Sequence, residues 1–249
     1  ATDSSTIYEV PLVLHGENFD EKVAQRLGLT TETPNLDGWK KIVEVVREPQ
    51  RQVRIGIVGK YVDLTESYKS LNEAIVHGGI ANHTKVEIEY IDSESLTEKN
   101  ISERLGDVQG ILVPGGFGKR GAEGKILAIQ YAREHKVPFF GICFGMQLAA
   151  VEFARHVCGI PDATSREFED APKKGVRNFV VDFMEEQRQV KDMGGTMRLG
   201  AYACHLSPQS LAAEIYSSSV ISERHRHRYE FNNKYRSLFE KNGMQLSGI

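Results

Sequence analysis

The chain is predicted to fold as a doubly wound α/β sheet, mainly parallel with helices on both faces, followed by a mixed or antiparallel C-terminal part. Three observations predict this. From residue 53 onward, short β-branched apolar runs alternate with helix-length amphipathic segments, the texture of a parallel sheet covered by helices. Two of those runs pass directly into glycine-containing turns, at Gly115-Gly116 and at Gly141. Beyond residue 171 the pattern changes to strand-like 179–183, a Gly194-Gly195 turn, strand-like 198–206, a short helix near Ser210 and a last strand-like run, 222–231.

Taken in order, residues 1–52 carry apolar pieces at Ile7, Tyr8, Val10, Leu12, Val13 and Leu14 and a helix-like stretch at 39–46, closed by Glu48-Pro49-Gln50. This segment reads as a connector, with one domain over 53–249. The runs 53–58, 86–91, 110–113 and 137–142 are too short and too apolar to be surface helices and are expected as buried strands. Helices are expected at 67–82, 122–135 and 145–158. Ile126, Ile129 and Ala132 in the second, and Leu148, Val151 and Ala154 in the third, recur at helical spacing and give each a face to bury. The order is that of a flavodoxin-like winding.

A chain of 249 residues that is 40% hydrophobic can bury one substantial core. Its formal charge of -3 and pI near 6.3 come from well-mixed acids and bases, which argues against a whole-surface field for nucleic acid or an anionic membrane. No apolar run reaches the length of a membrane span, and Ala1-Thr2-Asp3-Ser4-Ser5 lacks signal-peptide character, so a soluble cytoplasmic location is expected. Cys143, Cys158 and Cys204 are odd in number and show no C-x-x-C spacing, against both a disulfide framework and a zinc knuckle.

The stretch Val137 to Gln147 is a strand that enters a helix through Gly141-Ile142-Cys143-Phe144-Gly145. Small residues two before and two after a nucleophile are the spacing of a nucleophile elbow, where a sharp turn exposes the reactive atom. Cys143 would sit at the carboxyl edge of the sheet, and the helix start behind it is expected to lower the thiol pKa below about 8.5. The turn Pro114-Gly115-Gly116-Phe117-Gly118 could add backbone donors to an oxyanion hole with the amide of Phe144, each donor worth roughly 3–4 kcal/mol in a transition state. Neither this turn nor Gly56-Ile57-Val58-Gly59-Lys60-Tyr61 matches a dinucleotide fingerprint or a P-loop. His225 and His227 share a strand face, but two imidazoles without a third ligand make a poor zinc site, and no metal is expected.

The joint presence of Pro114-Gly115-Gly116-Phe117-Gly118 and Gly141-Ile142-Cys143-Phe144-Gly145-Met146-Gln147 resembles the class I (triad) glutamine amidotransferases. Ser5 to Leu12, Val58 to Tyr61, Gly194 to Gly200 and Glu223 to Glu230 are similar, within that class, to the glutaminase domain of the CTP synthase family. The resemblance implies a glutaminase in which Cys143 attacks the side-chain amide of L-glutamine. Gly116 and Phe144 would hold the oxyanion, and Gly116, Phe144, Gly145, Met146, Gln147, Glu167 and Arg228 would hold the substrate. A free amino acid needs an anion for its ammonium and a cation for its carboxylate, which Glu167 and Arg228 supply at roughly 1.5–3 kcal/mol for each charge-assisted contact.

The resemblance further implies ammonia delivery to an amidoligase domain of the same protein, which uses ATP and magnesium to convert UTP to CTP, in a homotetramer. No cofactor is expected within this chain. GTP is the implied activator, with Arg120 and Arg198 as position-matched contacts. Family members carry a general-base histidine and its orienting glutamate in a His-Pro-Glu motif, and none of the eight histidines here is followed by Pro-Glu. The chain is therefore expected to lack the C-terminal end of its domain, with the base and its orienter not in this chain and catalysis impaired. The alternatives are another elbow-cysteine hydrolase and a non-catalytic glutamine- or nucleotide-sensing module.

Overall fold

The computed structural model describes residues 3–60, 65–168, 178–183 and 198–249. Two compact units divide the chain, Ala1–Ile55 with Asp63–Glu89, and Gly56–Val62 with Tyr90–Ile249. The expected Gly194-Gly195 turn, Tyr61 and Met197 lie outside the described residues.

In the first unit, Thr6 caps a 3-10 turn by accepting from the amide of Tyr8, and α1 (Val10–Gly16) follows with Pro11 in its first turn, where the missing N–H costs nothing. Next, α2 (Phe19–Leu27) ends at Gly28, whose positive φ of 64 terminates the helix in the left-handed region. Then α3 (Asp37–Arg47) lays Val43 inward. Tyr8 ties this segment to α4 (Lys69–Ala81), its hydroxyl donating to Glu73 at 3.2 Å while its ring meets the edge of His77. Arg47 pairs with Glu9.

The strands β1 (Arg51–Gly59), β2 (Thr84–Asp92), β3 (Gly110–Val113) and β4 (Phe139–Gly141) form a four-stranded, mainly parallel sheet in the order β2-β1-β3-β4. Between β1 and β3 the winding reverses. The predicted strands and helices are present with end shifts of at most two residues, and of the run 137–142 only three residues are strand. Pro138 cannot donate to a ladder, and its carbonyl instead accepts from Ile111 at 2.8 Å.

In the second unit, α5 (Ile101–Leu105), α6 (Ala122–His135) and α7 (Phe144–His156) surround the sheet core. Ile126, Ile129, Ala132, Leu148, Val151 and Ala154, the expected apolar faces, are all buried. An ion pair with a buried carboxylate and an exposed guanidinium joins α6 to α7, Arg133 donating to both oxygens of Glu152 at 2.8–3.3 Å. Arg133→Met would leave the buried Glu152 carboxylate with His156 alone, at 3.1 Å, and is expected to destabilise by about 1.5–3 kcal/mol in urea titration.

The C-terminal part is mixed, as expected. A short β5 (Thr164–Ser165) lies parallel to β6 (Phe179–Phe183), and β7 (Arg198–His205), α8 (Leu211–Tyr216), β8 (Val220–His227) and β9 (Tyr229–Phe231) follow, closed by α9 (Arg236–Lys241). The run expected as one strand over 222–231 is two. Up to His227 it pairs antiparallel with β7, and from Tyr229 onward it pairs with β6, so the chain changes sheets at Arg228.

Candidate active site

The strand β4 turns into α7 within two residues. Cys143 occupies the turn with φ 52 and ψ -104, a conformation that few side-chain-bearing residues adopt and that costs of order 1–3 kcal/mol. The flanking glycines make it possible. A Cβ on Gly141 would lie 2.7 Å from backbone atoms of Gly145 and Met146, and one on Gly145 would lie 2.1 Å from the carbonyl oxygen of Val113. This close approach brings α7 onto the end of β3, beside the Gly115-Gly116 turn, where a Cβ on Gly115 would touch that of Cys143 at 3.6 Å.

A cavity of about 370 Å³ opens at this edge, lined by Gly116, Phe117, Cys143, Gln147, Glu167, His227, Arg228 and Tyr229. Glu167 comes from a 3-10 turn after β5, and its Oε1 accepts from the amide of Gly118 at 2.6 Å, fixing the loop that carries Gly116. Burial pushes the Glu167 carboxyl up, while the Gly118 amide, Lys60 and Arg228 pull it back toward the charged form. Lys60, at the end of β1, also donates to the carbonyl of Phe117. Arg228 reaches the cavity because it is the residue at which the strand leaves one sheet for the other.

Of the expected substrate-binding residues, Gly116, Gln147, Glu167 and Arg228 line the cavity with Cys143, and Phe144, Gly145 and Met146 do not. Gln147 is 4% exposed and its amide nitrogen donates to the carbonyl of Tyr229 at 2.7 Å, which holds the Arg228 junction against α7. Phe144 is buried with its ring against Phe168, and its backbone amide is the group that bears on the thiol. Gly145 packs on β3. Met146 is 46% exposed, one helical position away from the cavity-facing side. Arg120 sits beside Glu94, and Arg198 pairs with Glu230 and stacks on Tyr202, so neither lines this cavity.

The expectation of a lowered thiol pKa is corrected. Burial pushes the Cys143 thiol up and the Glu167 carboxylate adds to this, outweighing the Phe144 amide. Desolvation of a half-enclosed sulfur exceeds what one helix start returns. In the ligand-free chain, alkylation of Cys143 by iodoacetamide should therefore still be rising at about pH 10, where an ordinary exposed thiol of pKa about 8.5 has levelled off. Rates read by peptide mass spectrometry between pH 6 and 10 check this, and a plateau below pH 8 would contradict it.

Phe117, His227 and Tyr229 line the cavity although the sequence reading gave them no role. Phe117 and Tyr229 lie inside motifs already singled out, and their adjacency to Gly116 and Arg228 was the available signal. His227 shares a 2.8 Å ring-to-ring hydrogen bond with His225, and burial lowers its pKa, with Glu230 opposing and His225 and Arg198 assisting. Among the described residues, no group of three or more His, Cys, Asp or Glu side chains is placed to hold a metal ion, and no helix is long and apolar enough to cross a membrane.

The family model for glutamine amidotransferase class-I matches residues 63–248. Across its whole length the chain is 62% identical to the CTP synthase of Bdellovibrio bacteriovorus, and over 99% of its length it is 57% identical to that of Pelobacter propionicus. It spans 46% of each of those relatives, less than half their length. Among solved structures, the glutaminase domain of Trypanosoma brucei CTPS with bound acivicin is similar at a TM-score of 0.72 and 40% identity, over 79% of this chain and 74% of that one. With the elbow cysteine, the sheet and the family match in agreement, the chain belongs to the class-I glutamine amidotransferases.

Proposed function

We propose that this chain hydrolyses the side-chain amide of L-glutamine and that the ammonia released aminates UTP in a larger CTP synthase. The observation that carries the reading is one cavity that gathers a nucleophile, a carboxylate and a guanidinium: Cys143, Glu167 and Arg228. The Cys143 thiolate attacks the amide carbon, and the oxyanion rests on the backbone amides of Gly116 and Phe144. The C–N bond breaks, the nitrogen leaves as ammonia after gaining a proton, and water hydrolyses the glutamyl thioester to glutamate and free thiol. Glu167 meets the substrate ammonium and Arg228 its carboxylate.

The 249 residues contain no His-Pro-Glu run, and the general base is assigned to none of them. Residues 1–52 are proposed as the connector to the amidoligase portion, where ATP and magnesium would act, with Arg120 and Arg198 as contacts for GTP. Arg198 would have to exchange Glu230 for that ligand. The similar Trypanosoma brucei glutaminase domain holds bound acivicin, which supports a small-ligand site on this fold.

Incubation with an electrophilic glutamine analogue, followed by peptide mass spectrometry, tests the reading. An adduct confined to Cys143 and suppressed by free glutamine is expected. Labelling spread over Cys158 and Cys204, or indifferent to glutamine, would overturn it. Because each charge-assisted contact is worth roughly 1.5–3 kcal/mol, Glu167→Gln and Arg228→Gln should each raise the glutamine concentration needed for protection about ten- to a hundredfold.

A further inference from the structure

The turn from Pro114 to Gly118 brings Gly116 to the cavity, and among the described residues no backbone–backbone hydrogen bond holds any part of it. Two side chains hold it instead, and they grip one peptide group from opposite ends. The Lys60 ammonium, at the end of β1, donates to the carbonyl oxygen of Phe117, and the amide of the next residue, Gly118, donates to Glu167 Oε1 at 2.6 Å. In a planar trans peptide the carbonyl and the amide point in opposite directions, so a cation on one and a carboxylate on the other fix the tilt of the plane. Gly115 and Gly116 have no Cβ to restrict their own rotation, which leaves the neighbouring plane to set the course of the turn. The charged groups around it are Glu167, Arg228, which also acts on Glu167, and Lys125 of α6, which is 1% exposed and whose protonation Lys60 opposes.

We propose that Lys60 is a positioning residue for the glutaminase reaction, gripping the Phe117–Gly118 peptide opposite Glu167 so that the Gly116 amide is presented to the oxyanion. The inference rests on the glutaminase reading and adds a second task for Glu167. Its Oε1 anchors the turn while its other oxygen meets the substrate ammonium, so recognition of the amino acid and the shape of the oxyanion hole meet at one carboxylate. What acts on the Cys143 thiol is burial, the Phe144 amide and Glu167, so a change at Lys60 reaches the chemistry through the turn.

The experiment is iodoacetamide alkylation of Cys143 on the full chain, read by peptide mass spectrometry and titrated with two protecting compounds. One is L-glutamine, which fills the cavity as a ground state. The other is its analogue with an aldehyde in place of the carboxamide. The thiol adds to that aldehyde: the sulfur–carbon bond forms, the carbonyl π bond opens and the thiol proton passes to the oxygen, which then stands where the oxyanion would. Both compounds carry the same ammonium and carboxylate, so effects through Glu167 and Arg228 cancel in the ratio of their protecting concentrations. Deleting one oxyanion donor costs about a hundred- to a thousandfold, and a donor that is kept but loosened forfeits part of this. Lys60→Met should therefore weaken aldehyde protection about tenfold more than glutamine protection, and Lys60→Arg, which keeps a cationic donor, should return the ratio to within about threefold of wild type. Alkylation without either compound should not change, since displacement of iodide builds no oxyanion. An unchanged ratio in Lys60→Met, or the same loss in Lys60→Arg, overturns the inference. So does a Lys60→Met that fails to fold, which would assign the side chain to general stability rather than to the turn. Wild-type Cys143 that neither compound protects would instead overturn the glutaminase reading, and this inference with it.

Discussion

Cys143→Ala should abolish adduct formation with the glutamine analogue and lower glutamine hydrolysis by about four to six orders of magnitude, the loss seen when a nucleophile that acts as a unit with its site is removed. Hydrolysis is measured as ammonia release, and labelling is read by peptide mass spectrometry on the 249 residues. The stability of the variants adds an independent test of the elbow. At φ 52 and ψ -104 alanine keeps the Cβ that makes this conformation costly, and glycine removes it. The relief is about 1–3 kcal/mol, from which about 0.5–1 kcal/mol is lost to the greater chain entropy of glycine. Cys143→Gly should therefore unfold at a higher urea midpoint than Cys143→Ala, by about 1 kcal/mol. Equal midpoints would mean that the turn is unstrained and that exposure of the sulfur does not depend on it.

Much of this architecture was legible because burial on both faces writes a strand as an unbroken apolar run, and Ile111, Leu112 and Val113 are such a run. The elbow was legible because close backbone approach admits only glycine, so Gly141 and Gly145 mark the turn before any coordinates exist. The membership of Gly116, Gln147, Glu167 and Arg228 in one site was legible through the family resemblance alone, since they lie on four separate segments. What escaped has a common cause, which is that desolvation is set by tertiary neighbours. The thiol shift at Cys143 depends on how far the cavity wall covers the sulfur. Lys125 lies in a helix whose charged residues otherwise face water, and nothing local distinguishes it from them. Met146 and Gln147 are adjacent in the motif, yet a helix turns one to solvent and the other toward Tyr229. The switch of sheets at Arg228 also left no trace in periodicity, because both halves alternate as strands do and only their partners differ.

Gly145→Ala should be among the most damaging single methyls in the chain's second unit, alongside Gly124→Ala, whose Cβ would stand 1.8 Å from the Ser93 carbonyl oxygen. The Cβ added at Gly145 would stand 2.1 Å from the Val113 carbonyl oxygen, 2.9 Å from its carbon and 3.1 Å from the Val113 Cβ. Both sides of this contact are backbone, so no side chain can swing away, and relief requires α7 to withdraw from β3 by about an ångström. Overpacking of a rigid core costs typically 1–3 kcal/mol and more where backbone must shift, so a loss of about 3 kcal/mol or more is expected in urea titration. The same displacement would carry Cys143 away from the Gly116 amide, and a misplacement of about 1 Å can cost on the order of a hundredfold in rate. Any folded fraction should thus label slowly with the glutamine analogue while Cys158 and Cys204 keep their ordinary reactivity. The neighbouring pair on α4 calibrates the argument. Gly78 has nothing within 4 Å of a built Cβ, and Gly78→Ala should stabilise by up to about 1 kcal/mol through helix propensity. A Cβ on Gly79 would meet the Thr84 carbonyl oxygen at 2.6 Å, and Gly79→Ala should destabilise despite the same gain in propensity. If Gly145→Ala behaved like Gly78→Ala, the contact between α7 and β3 would be loose, and the placement of the sulfur beside the Gly115-Gly116 turn would need another cause.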